Sequence, residues 1–314
     1  MASKTSKKPK SREPAKSSKS KKSKAKTRPA GLKLRPGRPE DATTCSLICF
    51  EAFKAINDAH GFPPDFPTPE APLGFLSTML AHPEGFYGVV AESGGKIIGS
   101  NFLSYGDPIH GVGPITVDPT VQNGGIGKAL MIDVMEFSRR NGAAGIRLVQ
   151  AAFHNRSLSL YTKLGFDTKE PLSCIFGPSL DRALPGYKVR PVTKADVDAC
   201  NALHLGLHGF VRGQELLGAV AQNSATLAER DGEIVGFTTG IGFLGYAVAE
   251  DNDALKALIA AATLSPPGFL LPTRNSDLMR WCFANGLRVT QPMTLMAHGF
   301  YNEPKGAFLP SVIY

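Results

Sequence analysis

Apolar and polar positions follow two different rhythms along this chain, and the rhythm changes where the elements are expected to change. Leu32-Lys33-Leu34-Arg35 alternates with period two, which predicts a short strand stopped by Pro36 and Gly37. From Asp41 to Ala59 the apolar residues, among them Leu47, Phe50, Ala55 and Ile56, fit a helix, and Pro72 to Ala81 fits a shorter one. Between them Pro63, Pro64, Pro67 and Pro69 predict an irregular loop carrying Asp65 and Phe66. Two strands follow, Tyr87 to Ala91 and Lys96 to Leu103, joined by a Gly94-Gly95 hairpin turn. Ile115-Thr116-Val117 predicts another strand, closed by Asp118-Pro119. Residues 124–141 predict an amphipathic helix: Leu130, Val134 and Phe137 recur at helical spacing, and Arg139 and Arg140 suit its C-terminal dipole. Ile146 to Val149 predicts a buried strand, and Ser157 to Lys163 a short helix before Gly165-Phe166.

The pattern then starts again. Gly186-Tyr187-Lys188-Val189-Arg190-Pro191 mirrors Gly31-Leu32-Lys33-Leu34-Arg35-Pro36, and Asp196 and Cys200 match Asp41 and Cys45 at the same offset. Residues 228–236 mirror 91–99, and Asn285-Gly286-Leu287 stands where Leu164-Gly165-Phe166 stood. Four matches in the same order predict a tandem repeat of one α/β unit.

Charge refines this division. Residues 1–30 hold twelve Lys and Arg and one acid, Glu13, so this segment carries +11 and the rest of the chain −3. A stretch of Lys, Ser, Pro and Ala has too little to bury and is expected to be disordered. It is either a solubilising extension or a salt-dependent, non-specific contact for a polyanion. It lacks the apolar centre of a secretory signal. No apolar run of about 18 residues occurs, so no membrane span is expected. Cys45, Cys49, Cys174, Cys200 and Cys282 are odd in number and scattered, which argues for a reducing, cytoplasmic setting and against a disulfide framework. The only helically spaced histidine pair, His204 and His208, lacks a third ligand, so no metal is expected.

The sharpest local signal is the segment Val117-Asp118-Pro119-Thr120-Val121-Gln122-Asn123-Gly124-Gly125-Ile126-Gly127-Lys128. A strand runs through a glycine-rich turn into a helix, whose free N–H groups and positive dipole end attract phosphate. It fits neither the dinucleotide fingerprint nor the nucleoside triphosphate loop, since Gly127-Lys128 is followed by Ala129.

Gln122-x-x-Gly125-x-Gly127 resembles the pyrophosphate signature of the GCN5-related N-acetyltransferase (GNAT) superfamily. Ile115-x-Val117-Asp118-Pro119 resembles its fourth strand, and residues 154–166, ending Tyr161-x-x-x-Gly165-Phe166, resemble its second motif. The resemblance is specific over 85–167 and extends over 31–180, while 186–314 is a faded copy. It implies a mixed α/β fold of two tandem GNAT-like domains, 31–180 catalytic and 186–314 degenerate. Each domain would be a twisted mixed sheet flanked by helices.

The implied activity is transfer of an acetyl or short acyl group from acyl-CoA to a primary amine, by direct attack in a ternary complex. The resemblance gives the N–H groups of Gln122, Asn123, Gly124, Gly125, Ile126, Gly127 and Lys128 to the pyrophosphate. Ile115 and Val117 would pair with the pantetheine arm, the Ile115 amide would polarise the thioester carbonyl, and Tyr161 would protonate the departing thiolate. The family's Asn, seven residues before the Tyr, is His154 here, with Asn155 one residue late; both are cofactor-binding candidates. The family's usual Glu base would fall near Gly111, where no carboxylate stands. The loop histidine His110, His154 and a water relay are the candidate bases. His60, Asp65 and Phe66 either line the acceptor site or pack their loop. In the second copy, residues 246–255 offer three acids and no glycine, so no coenzyme A is expected there. Two other classes stay open: a non-catalytic acyl-CoA-binding regulatory protein, and a polyanion binder acting through residues 1–30.

Overall fold

The computed structural model describes residues 31–314; the basic segment 1–30, with the readings attached to it, lies outside them. The first half runs β1 (Lys33–Pro36), α1 (Ala42–His60), α2 (Leu73–Ala81), β2 (Phe86–Ser93), β3 (Lys96–Ser104), β4 (Ile109–Val112) and β5 (Thr116–Val117). It continues through α3 (Ile126–Arg140), β6 (Gly145–Ala151), α4 (Asn155–Lys163) and β7 (Asp167–Phe176). The second half runs β8 (Lys188–Pro191), α5 (Val197–His208), α6 (Gly213–Ala221), β9 (Thr226–Arg230), β10 (Glu233–Thr238) and β11 (Ala247–Ala249). It ends with α7 (Asn252–Ala261), β12 (Phe269–Pro272), α8 (Ser276–Ala284), β13 (Arg288–Gly299) and β14 (Ala307–Leu309).

The repeat read from the sequence is repeated in side-chain geometry. Arg35 on β1 reaches Asp41 with both terminal nitrogens, at 2.7 and 2.9 Å, and Glu92 on β2 with Nε at 2.9 Å. Arg190 on β8 does the same to Asp196, at 2.8 Å twice, and to Glu229 at 2.7 Å. A planar fork gripping one carboxylate bidentately while its Nε holds a second pins each first strand to its helix start and to the next strand.

The two copies are consecutive in the chain but interleaved in space. One sheet has the order β1-β2-β3-β4-β6-β13-β7-β12, with β5 beside β3; a second has β14-β11-β10-β9-β8. β13 lies between β6 and β7, and β7 lies between β13 and β12. The last long strand of each half is therefore inserted among strands of the other, and all these neighbours are antiparallel. Burial follows the exchange: Leu172, Cys174, Leu270, Met293 and Leu295 form one cluster drawn from both halves. Fully burying an aliphatic side chain of this size contributes about 1.5–3 kcal/mol, so the exchange holds the halves together chiefly through apolar contact.

On one face of the first half, α3 sends Ile126, Leu130, Met131 and Val134 onto β2, β3 and β6. On the other face, α1 and α2 contribute Cys45, Cys49, Leu76 and Met79 against Val90 and Phe102. All five cysteines are unpaired and buried. α3 begins two residues later than its apolar pattern predicts. Asn123 and Gly125 adopt left-handed φ values of 73° and 78°, which a helix interior does not accommodate. His110, expected in a loop, lies on β4.

Candidate active site

β4 and β6 pair in parallel only from Ile109 to Gly111 against Gly145 to Arg147, and then diverge. After the fork the chain passes Gly113-Pro114 before β5 pairs with β3. Pro114 has no N–H, so the ladder lapses there, and the Ile115 N–H has no backbone acceptor among the described residues. A cleft of about 1490 Å³ opens at this fork and runs between the two halves of the molecule.

At one end the cleft meets the start of α3. The Val121 N–H is bonded to Asp118 O, and the Ala129 N–H to Gly125 O. The seven N–H groups between them, Gln122 through Lys128, have no backbone acceptor among the described residues. The turn is braced from outside: Gln122 Nε2 donates to Val117 O at 3.0 Å, and Arg156 donates to Gln122 Oε1 at 3.1 Å. A fixed run of unpartnered amides at the N-terminus of a 15-residue helix, with Lys128 and Arg156 also lining the cleft, suits a dianionic group.

Helix α4 supplies the next wall. Tyr161 is 6% exposed and packs near Phe166, with ring centroids 6.2 Å apart. Burial pushes its hydroxyl up to about 12, with Ser157 working the other way. Ser157 Oγ is 2.5 Å from His154 Nδ1, and burial pulls His154 down to about 4. Positions 154, 157 and 161 lie on one helix face by their spacing, and all three line the cleft. Asn155 is exposed and does not line it.

The structure places His110 elsewhere. It is 2% exposed, with Nδ1 sharing a hydrogen bond with Ser138 Oγ on α3 at 2.6 Å, and it is not among the lining residues. Burial lowers its pKa. On β4 its ring faces α3, which a reading of His110 as a loop residue could not reveal. The neighbouring Gly111 has a tertiary role: a Cβ there would stand 2.1 Å from Ile313 O.

At the far end the cleft is lined by α1, α2 and the loop between them. Asp65 accepts hydrogen bonds from Asn57 Nδ2 at 3.1 Å and Gln291 Nε2 at 3.0 Å, and burial raises its pKa. Phe66 meets Phe53 edge-on at 5.7 Å and Phe75 at 6.1 Å. His60 instead packs at 5.3 Å against Phe153 and is not in the lining. The second half closes the cleft with residues such as Gln222, Thr239 and Phe243.

Two contributors escaped the sequence reading. Gln150 is 5% exposed in the cleft lining, and both polar atoms of its side chain are without a partner among the described residues. It is the penultimate residue of β6, one position beyond the Val149 at which the sequence pattern ends. The second-half wall carries no local signal, because only the strand exchange brings it to the fork. In the second half itself, β14 pairs with β11 and lies against β12, where the first half has its fork. His204 Nδ1 donates to Phe210 O at 2.7 Å, and among the described residues no group of His, Cys, Asp and Glu is arranged to hold a metal. Nor is any described helix long and apolar enough to cross a membrane.

Residues 52–166 match the family model described as the Acetyltransferase (GNAT) family. A glucosamine 6-phosphate N-acetyltransferase of Trypanosoma brucei brucei is 32% identical over 97 residues, covering 31% of this chain and 63% of that protein. The chain spans less than two thirds of the length of the curated relatives it matches. Among solved structures, a putative acetyltransferase from Pyrococcus horikoshii superposes with a TM-score of 0.65 at 16% identity, covering 91% of this chain and 93% of that one. A tandem GNAT protein from the clavulanic acid biosynthesis pathway gives 0.50 at 16% identity, covering 85% and 98%. The glycine-rich amide turn, the β4–β6 fork and Tyr161 all lie inside the matched segment, so residues 52–166 form an Acetyltransferase (GNAT) family segment within a tandem fold.

Proposed function

We propose that this chain is an N-acetyltransferase that moves an acetyl group from acetyl-CoA to a primary amine by direct attack. The observation that carries this reading is the run of amides from Gln122 to Lys128 without a backbone acceptor among the described residues, all but Gly124 lining the same cleft as Tyr161 and Ile115.

The amide run and the two nearby cations fit the diphosphate of the co-substrate. The Val112–Val117 side of the fork takes the pantetheine arm, whose amides find a free partner in Gln150. The Ile115 N–H donates to the thioester oxygen as charge develops there. The amine lone pair forms the new C–N bond, and the C–S bond breaks. Tyr161, kept protonated through neutral pH by its burial, gives its proton to the departing thiolate. The nitrogen sheds one proton as the amide forms, and Ser157 and His154 lie in line to return a proton to Tyr161. In the second half β14 fills the fork and acids stand at the helix start, which supports one acyl-CoA site per chain.

Gly127 provides the test. A Cβ there would meet only ordinary contacts, 3.6 Å to Leu160 and 3.9 Å to Val117, so Gly127→Ala keeps the fold. It also places a methyl group where the diphosphate approaches. Calorimetry is expected to show acetyl-CoA binding to the native protein and at least about tenfold weaker binding to the variant, with an unchanged melting temperature. Native protein that ignores both coenzyme A and acetyl-CoA would remove the proposal. A non-catalytic acyl-CoA-binding role is favoured by Gly111, where no carboxylate can be accommodated beside Ile313. Release of free thiol in the presence of amines separates it from catalysis.

A further inference from the structure

The charges of the cleft are segregated. Its two fully basic side chains, Lys128 and Arg156, stand at the amide turn, and its carboxylates, Asp65, Glu84, Asp107 and Glu215, line other parts of it. Three of these carboxylates already have partners that stabilise a negative charge. Glu84 is 2.9 Å from His82 Nδ1. Asp107 accepts from the Gln214 and Glu215 N–H groups at the start of α6, both at 3.0 Å. Glu215 is 2.7 Å from Arg212 Nε.

Asp65 differs. Its two described partners are the neutral amides of Asn57 and Gln291, 1% and 3% exposed. Each amide donates its N–H to Asp65 and leaves its own buried oxygen, Asn57 Oδ1 and Gln291 Oε1, without a partner. Two unpartnered acceptor oxygens thus stand next to Asp65, and among the described residues no Lys or Arg is paired with its carboxylate. A partly buried carboxylate without a cationic partner favours a ligand that brings positive charge and N–H donors. Beside it, Phe53, Phe66 and Phe75 present an aromatic wall to the same cleft.

We infer that the acceptor is a primary amine carried on an apolar, aromatic-compatible body. Asp65 binds its ammonium group and takes the proton that must leave before nitrogen attacks, while the phenylalanines hold the body. This rests on the acetyl-transfer reading of the same cleft. The protons balance: one ammonium proton passes to the Asp65 carboxylate, the neutral amine bonds to the acetyl carbon, the C–S bond breaks as the thiolate takes the Tyr161 proton, and the second proton that nitrogen sheds as the amide forms restores Tyr161. The same lining disfavours phosphorylated acceptors, including the glucosamine 6-phosphate named for the trypanosomal relative. Neither Lys nor Arg lies in the described cleft outside the amide turn.

The experiment measures thiol release by the full chain with acetyl-CoA and either 2-phenylethylamine or glucosamine 6-phosphate. It is repeated with Asp65→Asn, and acetyl-CoA binding is measured in parallel by calorimetry. Native protein is expected to prefer the arylalkylamine by more than about tenfold in kcat/KM. Asp65→Asn is expected to bind acetyl-CoA as the native protein does, which reports an intact fold. It should lose at least about tenfold in kcat/KM for the amine. Its loss should be smaller at higher pH, where the free amine no longer needs a base. If native protein binds acetyl-CoA but acetylates glucosamine 6-phosphate equally well or better, or if Asp65→Asn turns over the amine unchanged, the inference is overturned while the acetyl-transfer reading stands. If native protein does not bind acetyl-CoA at all, that reading itself fails, and this inference with it.

Discussion

Tyr161 shows how a single side chain is tuned by its place. Its hydroxyl sits in a packed site, so the neutral form is favoured and the group remains a proton donor at working pH. Tyr161→Phe keeps the ring that packs against Phe166 and removes only the donor. It is expected to lower kcat by about 100-fold, with acetyl-CoA affinity and melting temperature unchanged. A loss confined to KM would assign Tyr161 a packing role instead. His154 carries the opposite lesson. Its motif position pointed to the cofactor, and its half-buried place pulls its pKa down to about 4, so it is neutral at pH 7. His110 was a reasonable candidate base from its pKa class alone. Only the strand that carries it showed that its ring belongs to the α3 side of the sheet.

At the scale of elements, strand exchange matters most. The β6 and β7 edges of the first half both pair with β13, which comes more than a hundred residues later in the chain. Without β13, two long edges with apolar neighbours would stand open, a surface prone to aggregation. Residues 31–180 expressed alone are therefore expected to be insoluble or oligomeric by size-exclusion chromatography. Adding residues 181–314 during refolding should recover a one-to-one complex. A soluble, monomeric and cooperatively melting first half would show that the exchange is dispensable. β14 illustrates the complementary use of a strand, closing in the second half the gap left open in the first.

For the molecule as a whole, pH stability follows from its buried histidines. Burial takes His204 down to about 4 and holds His208 well below the usual imidazole range. A depressed native pKa means the unfolded chain gains protons first as pH falls below about 6.5, while the native state stays neutral. The associated stability is thus present above that pH and is lost progressively toward about pH 4. Melting temperature should fall steadily from pH 7 to 4.5. His204→Asn, which can keep the bond to Phe210 O, should show a shallower fall. An equal slope in both proteins would remove His204 from the explanation.

The sequence by itself determined what depends on near neighbours along the chain. The helix faces, the glycine-rich turn, the Tyr161 motif and the repeat marked by Arg35-Asp41 and Arg190-Asp196 are set by spacing, side-chain chemistry and backbone freedom. These suffice to name the fold and one end of the site. What only the tertiary structure decided is which strands become neighbours and which side chains are left without partners. The insertion of β13 between β6 and β7, the second-half wall of the cleft, the free amide of Gln150 and the uncompensated carboxylate of Asp65 all arise from contacts between distant segments. Local periodicity carries no information about such pairings, because their free energy comes from apolar burial and desolvation that exist only once both halves have folded together.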